Sequence, residues 1–461
     1  MRYSNITKSV VICLMSSFAY ASEPSEALKE SLRQIKSHIA DGYESNTSRA
    51  ITMIDGESAT LRQSVTFALQ SNFRVKQAQE RVVQAESSLA EAAADFLPKV
   101  DLIATGTGKE SKGFNNQSYG QLRGDVALNY NLYASGMHTE TVERTKITKI
   151  EQEERLRGTM EEEILKVVDA YVSVVYGRLS MEVNQNNYEK LLTILDIVKT
   201  KRELGAATAG DENSILASVS NAKTAFINTE SMYNNARDYY EFLTGTKMEH
   251  LHPYETEFEI MLLPFEKLLE QIEKKNVDLN ILETQIKGKQ KDMVITKAMN
   301  GPTVDLSVTN SKRRRSDFSD NPTEGRNQDF TAELIFTYHF YDGGRNEAKT
   351  AKVMSEISGL AYNLEYTKKD TKWNSQKLFN SVQTNSKTID TLKTEIEASK
   401  KMAEAYWEKF RLSSQDLVTL LQAQRQVNSA ELERLRSEKT RVVDYFNLLM
   451  KQGKLLEYFG L

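Results

Sequence analysis

A short segment of alternating polarity occurs twice in this chain, and this duplication constrains the fold more than any other feature. The two copies are GDVALNYNLYASGM at Gly124–Met137 and TAELIFTYHFYDGGR at Thr331–Arg345. They align at a spacing of 208 residues, which places Gly136 opposite Gly344. Similarity at a fixed spacing is the signature of an internal repeat.

A second register supports the same duplication upstream of these segments. At a spacing of 204 residues, Asn72 matches Asn276 and Pro98 matches Pro302. Because the two registers are consistent, we predict a tandem repeat of units of about 200 residues. The predicted units cover 60–245 and 264–461 and are joined by a linker at 246–263.

Each unit is predicted to contain two β-strands, because apolar and polar side chains alternate with a period of two. Around the first copy, Leu122, Val126 and Leu128 have one parity, whereas Arg123 and Asp125 have the other. Strands of about 9–13 residues are long enough to cross a bilayer at a tilt. The predicted strands are ~99–109, ~121–133, ~302–311 and ~328–341.

The connections between the paired strands are predicted to be polar loops, at 109–119 and 312–328. The second loop contains three consecutive arginines, Arg313–Arg315, which we expect at a solvated loop tip. Tyrosines are expected at the strand ends, as in the aromatic girdle of a membrane interface. These tyrosines are Tyr130, Tyr133, Tyr338 and Tyr341.

Long helices are predicted after each pair of strands, because apolar residues recur at helical spacing and no proline interrupts them. The first runs from about 134 to 204. At 1.5 Å per residue it would be about 100 Å long, so it must pack lengthwise as in a coiled coil. Breaks at Gly205–Gly210 and at Ser413 and Ser414 are expected to reverse each long helix into a return helix.

The N-terminus has the features of a secretory signal peptide, predicted to cover residues 1–21. A basic start precedes an apolar run, and an A-x-A cleavage motif ends at Ala21. A retained anchor is the alternative. The lone cysteine, Cys13, lies in this segment, so the predicted mature chain has no disulfide or thiol chemistry. Residues 22–59 are predicted to form a polar periplasmic extension, with no assignable role.

The composition argues against several functional classes. A hydrophobic fraction of 39% with 27% charged residues suits elongated helices better than a compact domain, and the net charge of −4 does not suggest nucleic-acid binding. Of five histidines, only His250 and His252 form a pair, which is a weak metal signal without a third ligand. With no nucleophile elbow, phosphate-binding loop or zinc motif, we predict neither an enzyme nor a cofactor site.

The strand count predicts an oligomer. Four amphipathic strands cannot close a barrel, because the smallest membrane barrels need about eight. Three chains would supply 12 strands and a matching ring of long helices. The apolar parity would then face lipid and the polar parity a water-filled lumen, which makes the assembly a conduit. The predicted lumen residues are Asp101, Arg123, Asp125, Asp305 and Glu333.

The chain resembles the TolC-like family of outer-membrane efflux and secretion channels, over nearly all of its length after about Thr60. The motifs are Leu97-Pro98, Gly301-Pro302, YASG and YDGGR at the strand ends, and LTG at Leu243–Gly245. The resemblance implies an α+β membrane protein of a Gram-negative outer membrane. Its fold would be a long periplasmic α-helical barrel continuous with a trimeric 12-stranded β-barrel, four strands per chain. It also implies a periplasmic adaptor and an inner-membrane ABC or proton-driven transporter as partners.

In this family the adaptor contacts the two helix-turn tips. RELGAATAGD matches the first tip through Gly205 and Asp211. At the second tip, Ser413 stands where glycine is usual and Gln415 where arginine is common, and Thr419 and Gln422 replace the two acidic residues that ring the aperture. A cation-plugged aperture is therefore not expected. Ordinary turn chemistry and adaptor docking are both open readings for these tip residues: Gly205, Asp211, Phe410, Ser413, Gln415, Asp416, Thr419 and Gln422.

Three functions remain open from the sequence. The extra N-terminal segment and the altered second tip favour the outlet of a type I protein secretion system, with a large adhesin as one candidate cargo. The alternative is the outer-membrane component of a small-molecule or multidrug efflux pump. A periplasmic coiled-coil scaffold without a pore is a more distant alternative, because it would leave the four strands without a use.

Overall fold

Two similar sets of helices and strands follow one another in the computed structural model, which describes residues 60–109, 119–245, 260, 262–317, 324–412 and 416–461. The first set is α1 (Leu61–Ser71), α2 (Phe73–Ala94), β1 (Lys99–Lys109), β2 (Tyr119–Ala134), α3 (Met137–Glu203) and α4 (Ala209–Thr244). The second is α5 (Phe265–Lys275), α6 (Val277–Ala298), β3 (Thr303–Asp317), β4 (Glu324–Thr337), α7 (Arg345–Arg411), α8 (Leu417–Lys451) and the short α9 (Leu455–Phe459).

Several sequence expectations lie outside the described residues. These are the signal peptide at 1–21, the extension at 22–59, the histidine pair His250 and His252, and the turn residues Ser413 and Gln415. Most of the predicted linker at 246–263 lies outside them as well.

Repeat-equivalent residues play the same local role in both sets. Asn72 ends α1 and caps α2, where its side chain accepts hydrogen bonds from the backbone N–H groups of Arg74 and Val75. Asn276 does the same between α5 and α6, accepting from Leu279. Asparagine is favoured at both helix caps and breaks, because its short amide replaces the missing backbone partner. The spacing of 204 residues therefore reflects a helix break that occurs at the equivalent position of both repeats.

The two longest helices, α3 and α7, each contain 67 residues and begin directly after the equivalent glycines Gly136 and Gly344. At 1.5 Å per residue each is about 100 Å long. Helix α3 packs along α4, and α7 packs along α8, so each repeat forms a long helical hairpin. Among the described residues, no helix combines the length and apolarity needed to cross a membrane.

Two buried clusters hold the hairpins together. The larger lies at the middle of α3, where Val168 and Tyr171 pack with Phe446 of α8 and with residues of α1, α4 and α9. Within it, the Tyr240 hydroxyl donates to Ser64 Oγ at 2.5 Å. The second lies near the turns, where α3, α4, α7 and α8 bury Val198, Ile215, Phe410, Leu417 and other apolar residues. The two hairpins of the chain are thus fixed to each other at their turn ends.

The four strands form one antiparallel sheet in the order β1-β2-β3-β4. The central pairing, β2 with β3, joins the two repeats, and a register shift between Asn131 and Tyr133 marks a bulge in it. All four helix junctions lie at one end of the sheet, because each strand pair enters from one helix and leaves into the next. The two hairpin connections lie at the opposite end, called here the hairpin end.

The strand bounds correct part of the sequence prediction. β1 matches the expected 99–109, but β3 continues to Asp317 and β4 begins at Glu324, so most of the predicted loop at 312–328 is strand. Arg313–Arg315 therefore lie in β3 rather than at a loop tip. The reason is tertiary: this polar stretch pairs with β2 on one side and with β4 on the other. β4 also ends at Thr337 instead of 341.

Candidate functional site

The first helical turn, between α3 and α4, is held by local hydrogen bonds. Gly205 has a φ of +74°, a left-handed conformation that glycine adopts without steric cost, and its N–H donates to the Arg202 carbonyl at 2.9 Å. Thr208 and Asp211 then form a reciprocal capping box: the Thr208 N–H donates to Asp211 Oδ2 at 2.8 Å, and the Asp211 N–H donates to Thr208 Oγ1 at 3.1 Å. The predicted tip residues Gly205 and Asp211 both serve turn formation.

The Asp211 carboxylate is stabilised in its charged form. Hydrogen bonds from the Thr208 backbone, and then from the Thr208 side chain, lower the pKa of Asp211 below its usual value. The N-terminus of α4 also favours this negative charge, because its unpaired backbone N–H groups carry a partial positive charge. At neutral pH the first turn therefore presents a fixed carboxylate.

The second turn, between α7 and α8, is described at its two ends. Helix α7 ends at Arg411, and α8 starts after Asp416, which makes no side-chain capping hydrogen bond. Phe410 is buried, whereas Asp416 and Gln422 are exposed and Thr419 is half-buried. The exposed Asp416 carboxylate is thus available at the start of α8.

A lysine links the two turns. Lys201, in the last turn of α3, donates from Nζ to the Phe410 carbonyl at 2.5 Å, and its ammonium lies 4.2 Å from the centre of the Phe410 ring. The contact caps a terminal carbonyl of α7 and places a cation over an aromatic face. This contact joins residues 209 positions apart in the chain.

Residues of both turns line a single cleft of about 190 Å³. From the predicted tip set, the cleft brings together Asp211, Phe410 and Asp416. Gly205, Thr419 and Gln422 do not line it, and Ser413 and Gln415 lie outside the described residues. The remaining lining residues are Val198, Lys201, Ala206, Ala207 and Leu417.

Sequence reasoning missed Lys201. A lysine in the last turn of a helix is a recognisable signal, because cations there interact favourably with the terminal carbonyls. Its partner, Phe410, was predicted as a tip residue but could not be connected to α3 from the sequence. The cleft therefore has two carboxylates, one ammonium and an apolar floor that includes Val198 and Leu417.

The five predicted lumen residues share one face of the sheet. The register places Asp101 opposite Ala127, Asp305 opposite Asn131 and Glu333 opposite Ser307, with the polar parity of all four strands on the same side. Arg123 and Asp125 belong to this face as well.

Polar contacts within and between strands organise this polar face. Arg123 donates from Nε to Asp125 Oδ1 at 2.8 Å and lies 3.2 Å from Ser311 Oγ. Asn131 donates to Asp305 Oδ1 at 2.7 Å. Such pairs stabilise a sheet, and here they pair charged side chains with partners on the same face. Most of the large exposed apolar side chains of the sheet lie on the opposite face, among them Leu102, Leu122, Val126, Phe330 and Leu334.

In the described ranges, no group of three or more histidine, cysteine, aspartate or glutamate side chains is placed to hold a metal ion. The features that stand out chemically are therefore the polar face and the cleft between the turns.

Solved structures with the same fold include outer-membrane channels. A membrane protein from Pseudomonas aeruginosa is 18% identical with a TM-score of 0.74, covering 87% of this chain and 91% of that one. The outer membrane channel CmeC of Campylobacter jejuni is 15% identical with a TM-score of 0.74, covering 88% and 91%. The open state of the MtrE channel of Neisseria gonorrhoeae is 17% identical with a TM-score of 0.71, covering 90% and 96%. No significant match is found among curated protein sequences.

The family comparison agrees with the duplicated architecture. The model of the outer membrane efflux protein family matches twice, at residues 65–246 and 268–449. Each match contains one strand pair and one long helical hairpin, and together they cover well over half of the chain. The matched family consists of outer membrane efflux proteins, which are channels and not enzymes. The chain belongs to the outer membrane efflux protein family.

Proposed function

We propose that this chain is the outlet of a tripartite export system, in which a periplasmic adaptor docks at the two helical turns and connects the channel to an inner-membrane transporter. One observation carries the proposal: both turns contribute to one cleft, at the end of the hairpins away from the sheet. A docking site at that end leaves the sheet free to occupy the outer membrane.

The cleft has the chemistry of a docking site for a basic, partly apolar loop. Asp211 and Asp416 supply two carboxylates, whereas the Lys201 ammonium is engaged by Phe410. An arginine or lysine of the adaptor would pair with the carboxylates, and an apolar neighbour would contact Val198. Charge complementarity of this kind sets orientation and association rate more than affinity.

The pore is proposed to form when three chains pool their strands. Edge strands β1 and β4 would then pair between neighbours and close a 12-stranded barrel, with the apolar face toward lipid. The polar face would line a water-filled lumen with Asp101, Arg123, Asp125, Asp305 and Glu333. No cofactor takes part in this function.

For the cargo, we propose an unfolded protein exported by a type I secretion system, with a large adhesin as the first candidate. The extension at 22–59 and the substitutions at Ser413, Gln415, Thr419 and Gln422 support a dedicated adaptor. The second candidate is small-molecule efflux. A scaffold without a pore is the third, and single-channel conductance in a planar bilayer would eliminate it.

Deletion of the gene, followed by mass spectrometry of secreted and surface-bound proteins, separates the two cargo classes. Loss of one very large protein supports type I secretion and identifies the cargo. An unchanged protein profile contradicts it, and increased sensitivity to drugs and bile salts would then support small-molecule efflux.

The docking role of the turns is tested with Asp211→Asn, which removes the charge but keeps an oxygen acceptor for the Thr208 N–H. We expect impaired export with an intact trimer, and the same for substitution of Gly205. Asp196→Asn is the matched control, because Asp196 is an exposed aspartate of α3 near the same turn and does not line the cleft. Loss of the trimer in the Asp211 variant would assign this residue to folding instead of docking.

A further inference from the structure

The apolar face of the sheet ends in a row of cations toward the hairpin end. Lys312, Arg314 and Arg326, here called the basic row, have the same parity as the apolar residues Leu306 and Val308. Arg314 lies directly opposite Arg326 in the register, and Lys312 lies opposite Gln328. All three basic side chains are exposed. Cations on the face that is proposed to contact lipid need polar or anionic groups around them.

The height of the basic row matches the edge of a hydrocarbon layer. From Val304, at the helix end of β3, Lys312 and Arg314 are eight and ten residues away. At about 3.3 Å per residue these separations are about 26 and 33 Å along the strand. With the tilt of about 40° found in membrane barrels, they become about 20 and 25 Å along the membrane normal, the height of the apolar band. The basic row is therefore level with lipid headgroups.

The leaflet follows from the topology. The helices leave the sheet at the end opposite the hairpins, and in the proposed function they lie in the periplasm. If the sheet inserts in the outer membrane as proposed, the hairpin end and its basic row reach the outer leaflet. This inference rests on that proposed insertion.

Glycines beside the basic row leave room for a headgroup. Gly124 lies opposite Lys312, and Gly106 lies opposite Leu122, the partner of Arg314. A Cβ atom added at Gly106, Gly108 or Gly124 would meet nothing within 4 Å. The face next to Lys312 thus has little side-chain volume, whereas Leu122 lies beside Arg314, and Leu102, Val126 and Phe330 occupy the level below.

The charges select an anion at this position. Guanidinium groups bind phosphate oxygens in a bidentate manner, and a lysine adds a point charge. We propose that the basic row binds the phosphate of a phosphorylated lipid headgroup in the outer leaflet.

The test uses native mass spectrometry of the delipidated full-length protein in detergent, titrated with bisphosphorylated lipid A. The variant combines Lys312→Gln, Arg314→Gln and Arg326→Gln. Each cation near a lipid surface contributes about fivefold to binding, so we expect lipid binding to weaken about a hundredfold in the variant. The matched control is Arg313→Gln, next in sequence on the opposite face, which should bind lipid A as the parent does.

Four outcomes would overturn the proposal. Three of them concern lipid A: equal lipid binding by the triple variant, an equal loss in Arg313→Gln, and equal binding of lipid A from which the phosphates have been removed. Displacement of the lipid by millimolar inorganic phosphate would likewise show an anion site without lipid selectivity and contradict the proposal. Heat-modifiable migration on gels checks that each variant is folded. Planar-bilayer conductance of the same samples tests the channel separately, so that a failure of lipid binding and a failure of the proposed function are distinguished.

Discussion

The buried carboxylate Glu161 makes the stability of this protein depend on pH. Glu161 lies in α3 with a side-chain exposure of 2%, and its Oε1 lies 3.5 Å from Arg157 Nε. Arg157 also donates to the Gly453 carbonyl at 2.7 Å, so its charge is shared with another partner. Burial raises the pKa of Glu161 to about 7, and the nearby carboxylates Glu154 and Asp278 act in the same direction.

The direction of the effect follows from proton linkage. The unfolded chain ionises Glu161 at a pKa near 4.5, whereas the folded chain keeps it protonated to a pKa of about 7. The folded state therefore binds more protons between these values, and its stability falls as the pH rises through this window. At about 1.4 kcal/mol per pKa unit, the loss above pH 7 is about 3 kcal/mol.

The variant Glu161→Gln removes this dependence, because the amide stays neutral at every pH. With an unfolding entropy of about 2.1 cal/mol/K per residue over about 400 residues, 3 kcal/mol corresponds to a Tm about 3–4 °C above the parent at pH 8. At pH 5 the two proteins should melt within about 1 °C of each other, since Glu161 is then protonated in the folded parent. Thermal unfolding followed by circular dichroism at both pH values measures the difference.

The control is Glu162→Gln, which removes an exposed carboxylate next in sequence. It should follow the parent at both pH values, because an exposed carboxylate is already solvated in the folded state. A parent that melts as far below Glu161→Gln at pH 5 as at pH 8 would refute the assignment of a raised pKa to Glu161.

Three further substitutions test local features of the fold. Thr208→Ala removes the capping box of α4, which costs about 1 kcal/mol and should speed amide hydrogen exchange at 205–215 about fivefold, with other helices unchanged. Gly453→Ala should destabilise by more than about 2 kcal/mol in thermal unfolding, because φ is +61° and the new Cβ would lie 2.3 Å from the Lys275 carbonyl oxygen. Tyr240→Phe removes a buried hydrogen bond to Ser64, and denaturation should show a loss of about 1 kcal/mol.

Much of the architecture could be predicted because it depends on residues close in sequence. The period-two alternation predicted all four strands, and the helical spacing predicted long helices, with breaks at Gly205–Gly210 and at Ser413 and Ser414; the helices end at Glu203 and Arg411. The duplication was visible as two fixed spacings, and the equivalent caps Asn72 and Asn276 give one of them a structural cause. The family comparison confirms the resemblance to TolC-like channels.

Strand ends were less predictable, because they depend on neighbouring strands. The stretch around Arg313–Arg315 is polar enough to be read as a loop, yet β2 and β4 supply hydrogen-bonding partners on both sides and extend β3 to Asp317. Pairing of this kind compensates for a low local preference for strand, which sequence reasoning cannot weigh without knowing the neighbours.

The sequence by itself determined the repeat, the two-faced strands and the long hairpins, since each is a periodic pattern within one segment. Only the tertiary structure decided which distant groups meet: Lys201 with Phe410 between the turns, Arg123 with Ser311 across the two repeats, and Glu161 in its buried position. These contacts arise from the packing of whole helices and strands. Their geometry is fixed by the sum of many apolar contacts along each element, and no local pattern in the chain records that sum.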